Sequence, residues 1–247
     1  MDEVTPALIL KLLQTMQAAG YASGTTNRVL ILLRHTFNLA RQWGTPGISA
    51  NPTAGLKTAP DVLRERFLSF EEIARLRAAL NDDENQVAAA AIKLLLLTGA
   101  RRNEVTYARW EYVDWAKATL KVPISKTGKP RWIKLNGAAL EVLRAVEGRK
   151  DPSPFIFPSA LTGRPPPSLH FPWRRIKRRA GLEGVRLHDL RHTFASIIVN
   201  ERRSLYEAQR LLGHTHAKAT QRYAHLTEET LGEAAEVVSA KIGSIKG

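Results

Sequence analysis

The feature that most limits what this chain can become is an almost unbroken apolar run, Val87 to Leu97, interrupted only by Lys93 and closed by Thr98-Gly99. At 11 residues it falls well short of the roughly 20 needed to span a membrane. A helix that is apolar on nearly every side belongs at the centre of a core. The other elements must therefore be built around it, and 247 residues suffice for one large domain or for a full domain with a smaller one beside it. The chain has no cysteine, which excludes a disulfide scaffold, a cysteine-ligated zinc module and a thiol nucleophile. It opens Met1-Asp2-Glu3, the wrong charge for a secretory signal. The expectation is a soluble cytoplasmic protein with no membrane association.

Before the apolar run, Leu8, Ile9, Leu12, Leu13 and Met16 recur at helical spacing, with Thr5 as cap, Pro6 at the first position and Gly20 past the end. A second helix is predicted from Thr25 to Gln42, burying Val29, Leu30, Leu33, Phe37 and Ala40. The stretch from Gly44 to Leu63 is poor in periodicity and holds Pro46, Pro52 and Pro60, so it reads as a linker. Ser69-Phe70-Glu71-Glu72 fits a capping box, and Asp82-Asp83-Glu84 reads as a solvated loop. From Tyr112 to Leu135 the period shortens to two. Ala118–Ile124 and Arg131–Leu135 form a hairpin with a short basic tip, Ser125 to Pro130. Helical spacing returns at Ala138–Val146, Trp173–Ala180, Leu190–Asn200, Leu205–Leu212 and Glu228–Ile242. The predicted fold is mainly α with a small antiparallel β-sheet. Its division is a helical unit at 1–57, a linker at 58–66 and a larger domain at 67–247.

Charge narrows the partner. Lysine and arginine number 37 against 23 acids, a formal charge of +14, which suggests a polyanionic partner with nucleic acid the leading candidate, although charge alone weighs equally for a merely basic surface. Between Arg164 and Arg191 eight residues are basic and two acidic. The run Arg174, Arg175, Lys177, Arg178 and Arg179 is nearly free of the acids that a solvated helix face would intersperse, and this points to phosphate contact.

His188-Asp189-Leu190-Arg191-His192 admits two chemistries. Histidines at i and i+4 suit a metal, with a third ligand drawn from His214, His216 or His225. Against this, Asp189 is shorter than the glutamate that pattern uses, and Arg191 would repel a dication. The other chemistry is at phosphate: Arg191 offers a fixed fork of donors and His188 titrates near neutrality. A second such arginine, Arg101, follows the turn at Gly99, with Glu104 close enough to orient a guanidinium or a histidine. Taken singly, each arginine would be read as surface, His214 as a buried, capped histidine at a helix end, and Tyr223 as core or interface.

Taken in order, Thr98-Gly99-Ala100-Arg101 with Glu104, Leu187-His188-Asp189-Leu190-Arg191-His192-Thr193-Phe194-Ala195-Ser196, Leu212-Gly213-His214 and Arg222-Tyr223-Ala224-His225 resemble the signature of the tyrosine recombinases, the phage-integrase family. The likeness covers about residues 67–226, with Ala100 where the family more often has leucine. Residues 1–57 resemble the later part of the family's core-binding domain, with no counterpart of its arm-binding domain in the sequence. The resemblance implies a site-specific recombinase that cuts and rejoins double-stranded DNA through a 3′-phosphotyrosyl link, as a homo-tetramer on DNA and without cofactor or metal. It implies Tyr223 as nucleophile, with Arg101, Arg191, His188 and His214 around the phosphate. Lys126 matches the family's mobile lysine, with Lys129 a near alternative that also suits DNA contact. The amphipathic tail at Glu228–Ile242 either packs on its own domain or docks on a neighbouring protomer. A non-catalytic DNA-binding module and a zinc hydrolase are the alternatives.

Overall fold

The computed structural model describes residues 4–60, 66–124, 128–149, 152–201 and 203–213. The chain divides into two compact units, Met1–Arg64 and Glu65–Gly247.

In the first unit, α1 (Pro6–Ala18) begins where Thr5 accepts a hydrogen bond from the Leu8 amide at 3.2 Å, with Pro6 inside the first turn. Helix α2 (Ser23–Gln42) starts two residues earlier than its apolar spacing suggests and packs on α1, burying Leu30, Phe37 and Ala40. The stretch after α2, expected to be a linker from Gly44 to Leu63, instead folds back onto that helix. Asn51 Nδ2 donates to the Arg34 carbonyl at 3.0 Å and to Asn38 Oδ1 at 2.8 Å, while its Oδ1 accepts from the amide and hydroxyl of Thr53. Asn27 exchanges two bonds of 2.9 Å with the backbone of Ala59. Side-chain amides, not apolar periodicity, hold this segment, so hydrophobic spacing gives no sign of it.

The second unit is built around α4 (Gln86–Thr98), the apolar run, capped by Asn85 and ended by Gly99 in the left-handed region. Seven of its apolar residues, Ala88, Ala89, Ala90, Ala91, Ile92, Leu94 and Leu95, are buried. Around it pack α3 (Phe70–Asn81), α5 (Arg102–Thr106), α6 (Gly137–Glu147), α7 (His170–Arg179) and α8 (Asp189–Asn200), with α9 (Leu205–Leu212) on α8. The capping box at the start of α3 closes as its sequence requires: Ser69 Oγ accepts from the Glu72 amide, and Glu72 accepts from the Ser69 amide. Helix α7 begins three residues before Trp173, because Pro172 is tolerated in a first turn where no intrahelical amide bond is needed.

The hairpin forms as β2 (Thr119–Val122) and β3 (Arg131–Lys134), with Leu120 opposite Ile133 and Val122 opposite Arg131. A two-residue strand β1 (Val113–Asp114), too short to leave a period in the sequence, joins β2 and makes the sheet three-stranded and antiparallel in the order β1-β2-β3. The mainly helical fold with one small antiparallel sheet is as expected.

The acidic run read as a solvated loop needs correcting. Asp83 is 2% exposed, and Arg175 on α7 grips it through Nε at 2.9 Å and Nη2 at 2.6 Å, while the Asn85 amide donates to Oδ1. Burial pushes the Asp83 carboxyl up. The hydrogen bonds from Arg175 and Asn85 and the charges of Arg175 and Arg179 outweigh it and hold the group below the ordinary aspartate value. Removing Arg175 leaves an unpaired buried carboxylate. Because the guanidinium itself is 31% exposed, the expected cost of Arg175→Ala is about 2–3 kcal/mol, below the full range for a buried pair. A carboxyl with a depressed folded pKa stabilises above its unfolded value, near pH 4, and loses that contribution as pH falls further. In R175A burial without that partner raises the Asp83 pKa, so urea unfolding should show the full gap near neutral pH and a gap that shrinks as acid protonates Asp83, first in the variant and then in wild type.

Candidate active site

The apolar helix α4 delivers the first charged residue of the site. Gly99 sits at φ +61°, and a Cβ there would come within 2.5 Å of Phe194 Cδ1 and 2.9 Å of Leu212 Cδ2. Conformation and space both demand glycine. The turn it makes places Arg101 at the N-cap of α5, where Glu104 reaches back to accept from the Arg101 amide at 2.8 Å and from its Nη1 at 3.0 Å.

Arg191 enters from the first turn of α8 and is 4% exposed. Its Nη1 donates to the Gly99 carbonyl at 2.5 Å and its Nη2 to the Leu212 carbonyl at 2.8 Å. Both acceptors are neutral, so these bonds orient the guanidinium without cancelling its charge. Leu212 ends α9, and Gly213 caps it in the left-handed region at φ +65°.

A third guanidinium completes the arrangement, and sequence reasoning passed over it. Arg131, on β3, donates to Glu104 through Nε at 3.0 Å and Nη2 at 2.7 Å. Its side chain is 12% exposed and that of Glu104 6%. The remaining arm, Nη1, reaches the Leu211 carbonyl at 3.4 Å, and Arg101 Nη2 lies 3.5 Å from the Gly213 carbonyl. Three guanidiniums thus meet three successive carbonyls at the C-terminal end of α9, where the helix dipole is negative. The signal for Arg131 was in its parity: it shares a strand face with Ile133, which is 1% exposed. A charged residue on the inward face needs a partner.

Burial pushes the Glu104 carboxyl up. Hydrogen bonding and charge from Arg131, then contact with Arg101, outweigh that and hold it below the usual glutamate value. The carboxylate is therefore ionised at neutral pH.

His188 is the N-cap of α8 and stands on the rim, its outer edge in solvent and its ring edge-on to His192 at 5.1 Å between centroids. Loss of water around its inner part, followed by the positive charges of Arg191, Arg186 and Arg101, lowers its pKa from 6.5, against an opposing pull from Asp189. The imidazole is neutral at pH 7 and can accept a proton. Asp189 itself is 0% exposed and accepts from Arg186 through Nε, Nη2 and the backbone amide. Its oxygens are committed to Arg186, which makes it a poor base for a metal-bound water between His188 and His192. Among the described residues no group of three histidine, cysteine or acidic side chains is placed to hold a metal.

A cleft of about 940 Å³ opens beside these groups, lined by Arg101, Arg102, Tyr107, Arg109, Lys121 and His188 among others. The basic run on α7 is only partly turned outward. Arg174, Arg178 and Arg179 are exposed. Arg175 is held by Asp83 and Glu84, Arg179 donates to the Asp82 carbonyl at 2.9 Å, and Lys177 donates to the carbonyls of Glu183 and Val185. Lys129, in the hairpin tip, is exposed. Lys126, His214, Tyr223, the histidines 216 and 225 and the helix expected at Glu228–Ile242 lie outside the described residues.

Comparison with known proteins places this geometry in a family. The family model for phage integrases matches residues 66–230. The tyrosine recombinase XerA of Pyrococcus furiosus is 31% identical over 233 residues, covering 92% of this chain and 78% of that protein. The integrase of Escherichia phage P2 is 29% identical over 233 residues, 94% of this chain, which spans 64% of that protein's length. Among solved structures, the XerH site-specific recombinase bound to a palindromic difH substrate superposes with a TM-score of 0.77 at 21% identity, over 97% of this chain and 74% of that one. This last likeness is one of fold. The matched residues take in the arginines and the histidine just described, and the chain belongs to the phage integrase family, the tyrosine recombinases.

Proposed function

We propose that this protein is a site-specific recombinase that cuts and rejoins double-stranded DNA through a covalent phosphotyrosyl intermediate, in the integration or excision of mobile DNA. One observation carries the reading: Arg101 and Arg191, 90 residues apart in sequence, converge on the same helix end, immediately before His214. Two oriented guanidiniums in a partly dry site match the charge that builds on phosphate oxygens when a fifth oxygen attacks phosphorus. DNA as partner is supported by the basic cleft, by the chain's net charge of +14 and by the DNA substrate in the XerH structure.

The chemistry is a pair of transesterifications. The Tyr223 oxygen attacks the scissile phosphorus, the bond to the 5′-oxygen breaks, and a 3′-phosphotyrosyl ester and a free 5′-hydroxyl result. His188, neutral at pH 7, takes the phenolic proton, and Lys126 protonates the leaving oxygen, with Lys129 the alternative donor. His214 contacts the phosphate beside the two arginines. Rejoining reverses the step: a 5′-hydroxyl attacks the ester and releases the tyrosine. The ester conserves the energy of the broken bond, so no nucleotide is consumed. Arg174 and Arg178 contact DNA phosphates through their exposed guanidiniums. A homo-tetramer on DNA is the proposed working assembly, as in a lambda integrase structure on a Holliday junction, with the tail at Glu228–Ile242 as the candidate exchange element.

The test is a pool of labelled nicked duplexes randomised around the nick, incubated with protein and resolved by denaturing electrophoresis. Wild type should form a covalent adduct whose DNA is then sequenced to recover the site. Tyr223→Phe should form none, and Arg191→Ala should form it roughly 100- to 1000-fold more slowly. DNA binding without adduct from wild type would instead leave a non-catalytic binding module.

A base with a depressed pKa also sets the pH profile. The second-order rate constant for adduct formation, which reports the free protein, should hold its plateau through neutral pH and begin to fall at a more acidic pH than an ordinary histidine would impose. The fall comes as His188 gains its proton. His188→Gln should be slow and should lack that acidic limb; an unchanged limb would assign the base elsewhere.

A further inference from the structure

The proposed chemistry has no direct use for the Arg131 guanidinium. Arg131, on β3, donates to both Glu104 oxygens. Glu104 is almost fully enclosed, so its negative charge must be neutralised by whatever guanidinium stands beside it. Two candidates flank it, Arg101 and Arg131. With Arg131 present, one carboxylate oxygen receives Arg101 Nη1 and Arg131 Nε, each at 3.0 Å. The other receives the Arg101 amide at 2.8 Å and Arg131 Nη2 at 2.7 Å. Among the described residues Arg101 Nη2 has the long 3.5 Å contact to the Gly213 carbonyl, one that a phosphate oxygen can replace. Without Arg131, Glu104 would draw the Arg101 guanidinium inward as its sole counter-ion, away from an incoming phosphate.

The same side chain sets the end of α9. Its Nη1 reaches the Leu211 carbonyl, and a Cβ at residue 213 would stand 2.2 Å from that nitrogen. Gly213 is therefore glycine for two reasons, its positive φ and the guanidinium lying against it.

We propose that Arg131 is a positioning residue for strand cleavage: it saturates Glu104 so that Arg101 stays available to the scissile phosphate, and it packs the turn that ends α9. This rests on the recombinase reading above. Arg131 touches neither DNA nor the reacting atoms; it acts through Glu104 and Arg101.

The experiment uses the full chain and the nicked duplex recovered from the pool, with single-turnover cleavage measured at saturating protein and DNA affinity measured separately. Arg131→Gln should cleave about 10- to 100-fold more slowly, the range for loss of a group that orients a first-contact residue, with affinity within about twofold of wild type. Arg131→Lys keeps the charge but cannot span both carboxylate oxygens and a carbonyl, so it should lose less. The deciding variant is Glu104→Gln combined with Arg131→Gln. It removes the charge that would recapture Arg101, and it should cleave faster than R131Q alone; a purely structural gap at 131 would make it equally slow or slower. The inference is overturned by wild-type cleavage in R131Q, by a loss confined to affinity, or by no rescue in the double variant. If R131Q fails to fold, R131K and the double variant decide, and wild-type cleavage in R131K overturns it. A wild-type chain that forms no adduct removes the recombinase reading itself, a different failure from an active R131Q.

Discussion

Gathering positive charge in a place with little water is the constraint that the rest of the larger unit serves. Arg101, Arg131 and Arg191 meet at one helix end with Glu104 as the carboxylate bonded among them. Like charges so placed repel strongly in a medium of reduced dielectric. They are held by neutral carbonyls, which attract each guanidinium without consuming its charge, and by the negative end of the α9 dipole. A set of guanidiniums held partly by carbonyls keeps a positive field that an anion can relieve. That is electrostatic preorganisation in a structural form.

Holding such a set requires a rigid base. The apolar helix α4 provides it, because a helix packed over most of its surface by α3, α5, α6, α7 and α8 cannot tilt without opening cavities. Gly99 then converts the rigidity of α4 into a fixed exit direction for Arg101, and its carbonyl is at once a ligand of Arg191. One turn of backbone therefore serves two arginines from distant parts of the chain.

Elsewhere in the same unit the acids act as internal ties. Asp83 joins the loop before α4 to Arg175, Asp189 holds Arg186, and Glu72 holds Arg66 near the start of α3. In a chain with a surplus of 14 positive charges, buried carboxylates bind arginines into the fold, and cations such as Arg174, Arg178 and Lys129 are left exposed. The basic stretch on α7 thus has two parts with different work. Composition alone cannot separate them, since the sequence shows five cations and not which of them a buried acid has claimed.

The sequence by itself determined the elements whose cause is local. The apolar content of Val87–Leu97 demanded a central helix, the Ser69–Glu72 capping box placed the start of α3, alternation marked β2 and β3, and the ordered motifs around Arg101 and His188 declared the family. Tertiary structure decided what depends on partners far away along the chain. The segment after α2 folds back through Asn27 and Asn51, Asp83 is buried because α7 brings Arg175 to it, and β1 exists because β2 offers it an edge. Arg131 belongs to the site because its strand face turns toward Glu104 and the end of α9. Spacing within one segment reports which residues share a face. What that face meets is settled only when the other segments arrive, because the energy of a buried charge lies in its pairing.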